Sequence, residues 1–318
     1  MSMEKEIGGY FGLETFQGRE YYPDLLAVNS ARNALLYLLK AKKIKKIYIP
    51  YFLCDSVFML CEREKYEYEY YSINQDFTPN FSKELSEGEY LYCVNFYGQI
   101  TNSKIKQLRK QYKNLIIDNV QAFFQKPVKG VDTLYSCRKF FGVPDGAYVY
   151  TPATLDEKLK TDESKERMKH ILGRFEGQAT EYYSDFKDND ESFIHLELRL
   201  MSKLTQNILR AVDYKQVKRK RNENYKTLEM GLGQYNPLKL NRPDGAYCYP
   251  FYCKNGMQIK KKLAEKKIYV PTLWANAVEI GGEIEKDYAK NILPLPCDQR
   301  YGKEEMEYMI RQVLECIN

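Results

Sequence analysis

The chain has 318 residues, 44% of them hydrophobic and 29% charged, enough for a sizeable core in one large domain or two unequal ones. Forty-nine Lys and Arg against 43 Asp and Glu leave a net charge of +6, modest for a nucleic-acid module but compatible with an anionic small-molecule ligand. Only two histidines, His170 and His195, stand beside 29 tyrosines, which excludes a multi-histidine metal site.

Strand and helix signals alternate through the first half. Residues 25–28 form a short apolar run, and Asn29-Ser30 supplies N-cap chemistry for a helix reaching about residue 42. Residues 44–50 alternate as a strand does. A helix is expected over 55–64, strands over 66–73 and 90–96, and a basic helix over 103–112. Three strands follow at 115–118, 133–136 and 147–150. Strands separated by helices imply a mostly parallel sheet covered on both faces, and the close spacing of the last strands suggests an antiparallel one near Tyr148.

Beyond residue 155 the pattern turns helical. Helices are expected over 156–172, 193–209 and 214–228, and residues 173–191 read as a loop that shapes a substrate pocket. Gly231-Leu232-Gly233 punctuates the chain. A strand over 247–253, a helix over 257–266, a strand over 268–270 and a closing helix over 303–316 make a small α+β unit. The division expected is a large domain, residues 1–234, and a small one, residues 235–318.

The eight cysteines form no C-x-x-C pair, so buried free thiols in a reducing cytoplasm are expected rather than zinc or a disulfide framework. Met1 to Gly8 is charged and lacks the apolar stretch of a secretory leader. No run reaches the roughly 18–20 apolar residues of a membrane span. Neither a membrane nor a nucleic-acid partner is expected.

Three stretches could carry chemistry. Asp118 ends the apolar strand 115–118, and ligands of open α/β sheets lie beyond such ends; an ordinary N-cap is the plainer alternative. Lys139 follows the strand ending at Ser136 and precedes Phe140 and Phe141, where desolvation would lower its pKa and free the amine for Schiff-base chemistry; a solvated lysine is the plainer alternative. Ser136 could offer a hydroxyl to phosphate. Ser30, Ala31 and Arg32 open a helix, whose free N–H groups suit a phosphate; an ordinary cap is again the alternative. A phosphate cradle, an acid and a lysine together match the needs of pyridoxal phosphate.

At these positions the sequence resembles the DegT/StrS-type sugar aminotransferases, as a short, divergent member. Ser30-Ala31-Arg32-Asn33-Ala34-Leu35 resembles the phosphate turn S-G-T-x-A-L, and Ile47 to Pro50 resembles a V-I-x-P strand end. Val94-Asn95-Phe96-Tyr97-Gly98 resembles V-H-x-Y-G, and Asp118-Asn119-Val120-Gln121-Ala122 resembles D-x-A-Q-A. Ser136 to Lys139 with Gly146-Ala147 resembles the serine, the Schiff-base lysine and the glycines that follow. Leu293-Pro294-Leu295-Pro296 resembles the C-terminal L-P segment.

The resemblance implies the α/β architecture of pyridoxal-phosphate (PLP) enzymes of fold type I, with a mostly parallel sheet in a large domain and a smaller C-terminal α+β domain. It implies Lys139 as the Schiff-base lysine and proton shuttle, Asp118 at the pyridine nitrogen, Gln121 near the ring or its hydroxyl, and Ser136 with Ser30, Ala31 and Arg32 at the phosphate. The implied activity takes an amino group from an amino acid, L-glutamate by analogy, to a keto acceptor, a nucleotide-linked ketosugar of surface-polysaccharide synthesis. It also implies a homodimer. Another PLP reaction on an amino acid, and a degenerate paralogue with a binding or regulatory role, stay open. Departures are visible: Lys139 stands three positions after Ser136 rather than five, Arg32 stands where the family has Thr, and Cys54 stands where an aromatic stacks, with Phe52 and Tyr97 as possible substitutes.

Overall fold

A computed structural model describes residues 7–317. The leader reading of Met1 to Gly8 falls mainly outside that span. β1 (Leu26–Val28) leads into Ser30, whose Oγ accepts the Asn33 N–H at 3.1 Å and caps α1 (Ala31–Ala41), as the sequence suggests. Then come β2 (Lys46–Pro50), α2 (Asp55–Glu64), β3 (Glu67–Ile73), β4 (Pro79–Asn80), β5 (Glu89–Val94), α3 (Asn102–Gln111), β6 (Leu115–Asp118), β7 (Asp132–Ser136) and β8 (Ala147–Tyr150).

These strands form one eight-stranded sheet of order β1-β8-β7-β6-β5-β2-β3-β4. β2, β3, β5, β6 and β7 run parallel, and β8 is antiparallel to both β1 and β7. The central strands read as continuous apolar runs because both faces are covered; Ile116, Ile117 and Leu134 are fully buried. Parallel strands place all their carboxyl ends on one edge. The residues that follow Pro50, Val94, Asp118 and Ser136 therefore share that edge.

The second half holds α4 (Lys169–Glu176), α5 (Tyr183–Ser192), α6 (Lys203–Arg210), α7 (Tyr214–Leu232), β9 (Cys248–Tyr252), α8 (Gly256–Glu265), α9 (Ala277–Ile280), α10 (Glu283–Asn291), β10 (Ile292–Pro296) and α11 (Lys303–Ile317). Several expectations are corrected here. No helix covers 156–164, because that segment is held extended: Leu200 N–H donates to the Lys160 carbonyl and Asp162 N–H to the Leu200 carbonyl, both at 2.9 Å. Tertiary hydrogen bonds outweigh local propensity.

The loop expected over 173–191 contains the end of α4 and nearly all of α5. α5 is so polar that its pattern reads as a loop. The helix expected from 193 begins only at Lys203. Residues 193–202 instead run beside β1, where Asn29 N–H donates to the Arg199 carbonyl and Met201 N–H to the Ala27 carbonyl. Residues 268–270 form no strand.

β9 and β10 pair as a separate antiparallel sheet. α7, α8 and α11 cover it, and Leu228, Leu263, Val313, Phe251, Leu293 and Leu295 are fully buried in a core of their own. Arg221 of α7, 2% exposed, ties this unit to the large sheet. Its Nη1 donates to the Ala246 carbonyl at 2.9 Å, its Nη2 to the Phe140 carbonyl at 3.3 Å, and its Nε to Gln299 Oε1 at 2.8 Å. Gln299 Nε2 donates to the same Phe140 carbonyl at 2.8 Å. Both units therefore converge on the residue after Lys139.

Replacing Arg221 by Ala would strand the Ala246 carbonyl and Gln299 Oε1 in a buried junction. We expect a loss of about 2–3 kcal/mol in unfolding free energy, read from the urea midpoint. An unchanged midpoint would contradict this role.

Candidate active site

Asp118 closes β6 and is 7% exposed. Tyr92 on β5 stands opposite Ile116 in register and so shares a sheet face with Asp118. The Tyr92 hydroxyl donates to Asp118 Oδ2 at 2.6 Å, and the Val120 N–H donates to Oδ1 at 2.8 Å. Burial pushes the Asp118 carboxyl up to about 6, while these donors and the Lys139 ammonium pull it back. The carboxylate is held in a fixed orientation and is costly to ionise.

Lys139 lies in the turn after β7. Phe140 N–H donates to the Cys137 carbonyl at 3.0 Å and Phe141 N–H to the same oxygen at 2.9 Å. The lysine is reachable by solvent although protein surrounds it, because it lines a cavity of about 630 Å³ between the two units, together with Arg221 and Tyr247. Its amine lies above the ordinary lysine value, first because of Tyr247, with burial pulling the other way and Cys54 and Asp190 adding to the rise. The depressed amine expected from the apolar flanks is therefore not found: charge outweighs desolvation.

The turn is tied down at its far end. Gly146 has φ +112, a Cβ there would sit 3.0 Å from Thr205 Cγ2, and its N–H donates to the Asn29 carbonyl at 2.8 Å. The buried Asp145 carboxylate accepts the Ser202 N–H at 3.0 Å, the Ser202 hydroxyl at 2.8 Å and the Thr205 hydroxyl. The segment carrying Lys139 is thereby fixed to β1 and to the start of α6.

Ser30, Ala31 and Arg32 stand at the N-terminus of α1, on the sheet edge where β1 ends, and none of them lines the cavity beside Lys139. Arg32 and Lys139 share Cys54 and Asp190 as electrostatic neighbours. Ser30 Oγ is already engaged as the cap, and the N–H groups of Ala31 and Arg32 take no acceptor among the described residues. Arg32 Nε donates to the Ser56 carbonyl at 3.3 Å, whereas its buried Nη1 has no partner among those residues. Burial lowers the Arg32 value. An orphaned, buried guanidinium nitrogen is expensive unless an anion meets it.

Ser136 ends β7, with no hydrogen bond from its hydroxyl among the described residues. Gln121 Oε1 accepts the Tyr97 N–H at 2.7 Å, leaving its Nε2 free, and steadies a left-handed residue (Tyr97 φ 54). The proposed stacking substitutes do not face the opening: Phe52 and Tyr97 are 0% and 1% exposed. Phe52 packs against Trp274 at 4.4 Å between ring centroids. Cys54, by contrast, is exposed at the start of α2 and acts electrostatically on Lys139, Tyr92 and Arg32.

Sequence reasoning missed Tyr92, Tyr247 and Arg221. Tyr92 had a weak signal, standing two residues before Val94 on a strand whose end was already singled out. Arg221 had none, since it sits in a basic run that reads as a solvated helix face. The donor set present here fits pyridoxal phosphate: an anion would satisfy Arg32 Nη1 and the free α1 N–H groups, and a cationic ring nitrogen would satisfy Asp118.

No family model matches the chain, and no curated protein matches it in sequence. Solved structures do match in fold. A DegT DnrJ EryC1 StrS aminotransferase from Brucella abortus superposes with a TM-score of 0.65 at 12% identity, over 92% of this chain and 86% of that one. NtdA from Bacillus subtilis, solved with bound cofactor PMP, gives 0.66 at 15% identity, over 92% and 73%. Helicobacter pylori PseC, an aminotransferase of pseudoaminic acid biosynthesis, gives 0.61 at 14%, over 92% and 86%. The chain has the fold of the PLP-dependent aminotransferases.

The Asp118 carboxyl yields a prediction with a defined sign. Between its unfolded value of 3.8 and its folded value of about 6, the folded state keeps a proton that the unfolded state has lost. Stability therefore falls as pH rises through that window, and the penalty persists above it. Without cofactor, Asp118→Asn is expected to be more stable than wild type at pH 7.5, on the order of 2 kcal/mol, with the gap closing near pH 4. Its affinity for pyridoxal phosphate should fall at least about tenfold. A variant less stable than wild type at pH 7.5 would contradict this assignment.

Proposed function

We propose that the chain is a PLP-dependent aminotransferase that moves an amino group from an amino acid donor, L-glutamate, to a keto acceptor, a nucleotide-linked ketosugar of surface-polysaccharide synthesis. The observation that carries this reading is the placement of the buried Asp118 carboxylate and the Lys139 amine just beyond the carboxyl ends of the paired strands β6 and β7. The fold shared with NtdA and PseC supports it.

When bound, pyridoxal phosphate supplies an electron sink for the carbon that loses its proton. Asp118, steadied by Tyr92 and Val120, would pair with the protonated ring nitrogen, and with a value of about 6 it is mostly ionised at neutral pH. Arg32 Nη1 and the N–H groups of Ala31 and Arg32 would hold the phosphate, with the Ser136 hydroxyl and the Ser30 turn beside them. Gln121 Nε2 would face the ring or its hydroxyl. Lys139 Nζ would hold the cofactor covalently until a substrate amine displaces it, and the freed amine would then take the substrate proton and return it one position away. Holding the turn from Cys137 to Gly146 rigid keeps that amine in reach.

Other parts of the reading are also proposals. The division into residues 1–234 and 235–318 is supported by the separate core of the small sheet, with α7 as the long helix joining the two units. A homodimer is supported by apolar side chains left in solvent, Phe175 at 91% and Phe11 at 98% exposed. All eight cysteines are free, which accords with a reducing cytoplasm. No helix among the described residues is long and apolar enough to cross a membrane.

The test is spectroscopic. Protein mixed with pyridoxal phosphate should gain a visible absorption band that Lys139→Ala lacks, and L-glutamate should bleach it in the wild type. The same band in both proteins, or none in either, would overturn the assignment. A band that no amino acid bleaches would remove the aminotransferase reading alone.

A further inference from the structure

The small unit buries one lysine without giving it a counter-ion. Lys260 stands on α8 beside Ile259, which joins the core of that unit, and is itself 8% exposed. Its Nζ reaches Thr272 Oγ1 at 3.5 Å, a poor substitute for hydration. No carboxylate pairs with it among the described residues. Lys261 and Lys262, next in the chain, are exposed. Burial holds the Lys260 amine down at about 8, with the Cys253 thiol, itself pushed up to about 11, acting the other way. Roughly a quarter of the Lys260 amine is then neutral at pH 7.5, against about one part in a thousand for an ordinary lysine.

The amine is buried but not sealed in. It lines a cavity of about 890 Å³ that has α4 and α5 on one side and α8 with residues 266–271 on the other. Arg174, Lys266 and Lys267 share the wall, and none of them forms an ion pair among the described residues. The acidic side chain on the wall, Glu305, is occupied by the Gly302 N–H at 2.8 Å. The wall therefore carries cations that an added negative charge would satisfy.

We propose that Lys260 is a carbamylation site, whose neutral amine takes up carbon dioxide reversibly and holds it as a carbamate. The nitrogen lone pair forms the N–C bond, one C=O electron pair moves onto oxygen, and the nitrogen passes a proton to water. Lys–NH2 and CO2 become Lys–NH–COO− and H+, with nothing oxidised or reduced. The product suits the surroundings better than the ammonium does. The Thr272 hydroxyl donates to a carbamate oxygen, and the unpaired cations of the wall gain an anion. Carbon dioxide is small and uncharged, so it reaches a buried amine, and an acylating agent that leaves a neutral amide would not supply the missing charge. Arg174 and Tyr269 border both this cavity and the one that Lys139 lines, so dissolved carbon dioxide sets the charge beside that site. The inference stands apart from the aminotransferase reading.

Trapping tests it. The full chain is equilibrated with isotopically labelled bicarbonate at pH 7.5, treated with triethyloxonium ion to convert carbamates to stable esters, and mapped by peptide mass spectrometry. Lys260 is expected to carry at least about tenfold more label than Lys261 or Lys262, because far more of its amine is neutral. Lys260→Met should lose that label; the substitution removes a poorly paired buried charge, so the fold should survive. The comparison among the three lysines is made within the wild-type chain and does not depend on the variant. No label on Lys260, or equal label on Lys260, Lys261 and Lys262, would overturn the proposal.

Discussion

The structure depends on a carboxylate placed where its charge is expensive. Asp118 sits at the end of a fully buried strand with two donors and no direct ion pair among the described residues, and burial raises its value to about 6. A folded protein carries such a cost where a ligand relieves it. The opposite deficit lies at the same edge of the sheet: among the described residues, Arg32 has a buried nitrogen without an acceptor and α1 opens with free N–H groups. An anionic group for Arg32 and a cationic one for Asp118, joined in one flat molecule, would settle both. The rest of the fold brings these two deficits and one lysine together.

The parallel sheet achieves this by geometry. Strands β5, β6 and β7 end on one edge, and each end carries a different tool: Tyr97 and its left-handed turn, Asp118 with Gln121, and Ser136 with Lys139. α7 and the segment after β10 complete the arrangement through Arg221 and Gln299, which grip the carbonyl of Phe140 beside Lys139. The helical pair α4–α5 stands over the same opening, where Arg174 of α4 lines the cavity beside Lys139.

Much of the large sheet could be read from the chain. β6 and β8 fall on the residues their apolar runs mark, and Ser30 caps α1 as its side chain predicts. Apart from the strand expected over 268–270, the failures lie between residues 156 and 202. There, backbone partners far away in sequence, such as Lys160 with Leu200, hold extended chain where local composition favours helix. α5 went unread because a helix with little apolar face gives no period. In the candidate site, Asp118 and Lys139 stood out by following strand ends. Tyr92 and Arg221 did not, because their roles come from cross-strand register and from a junction between the two sheets that sequence spacing does not encode. The state of Lys139 was misjudged for a related reason: apolar neighbours in sequence suggested a depressed amine, while Tyr247, far along the chain, raises it.

The central claim is that one particular lysine binds the cofactor covalently. Borohydride reduction of the protein loaded with pyridoxal phosphate, followed by peptide mass mapping, tests it directly. One reduced phosphopyridoxyl group per chain is expected, on the peptide that carries Lys139. Labelling centred on another lysine, such as the poorly paired Lys260, or no stable label at all, would contradict it.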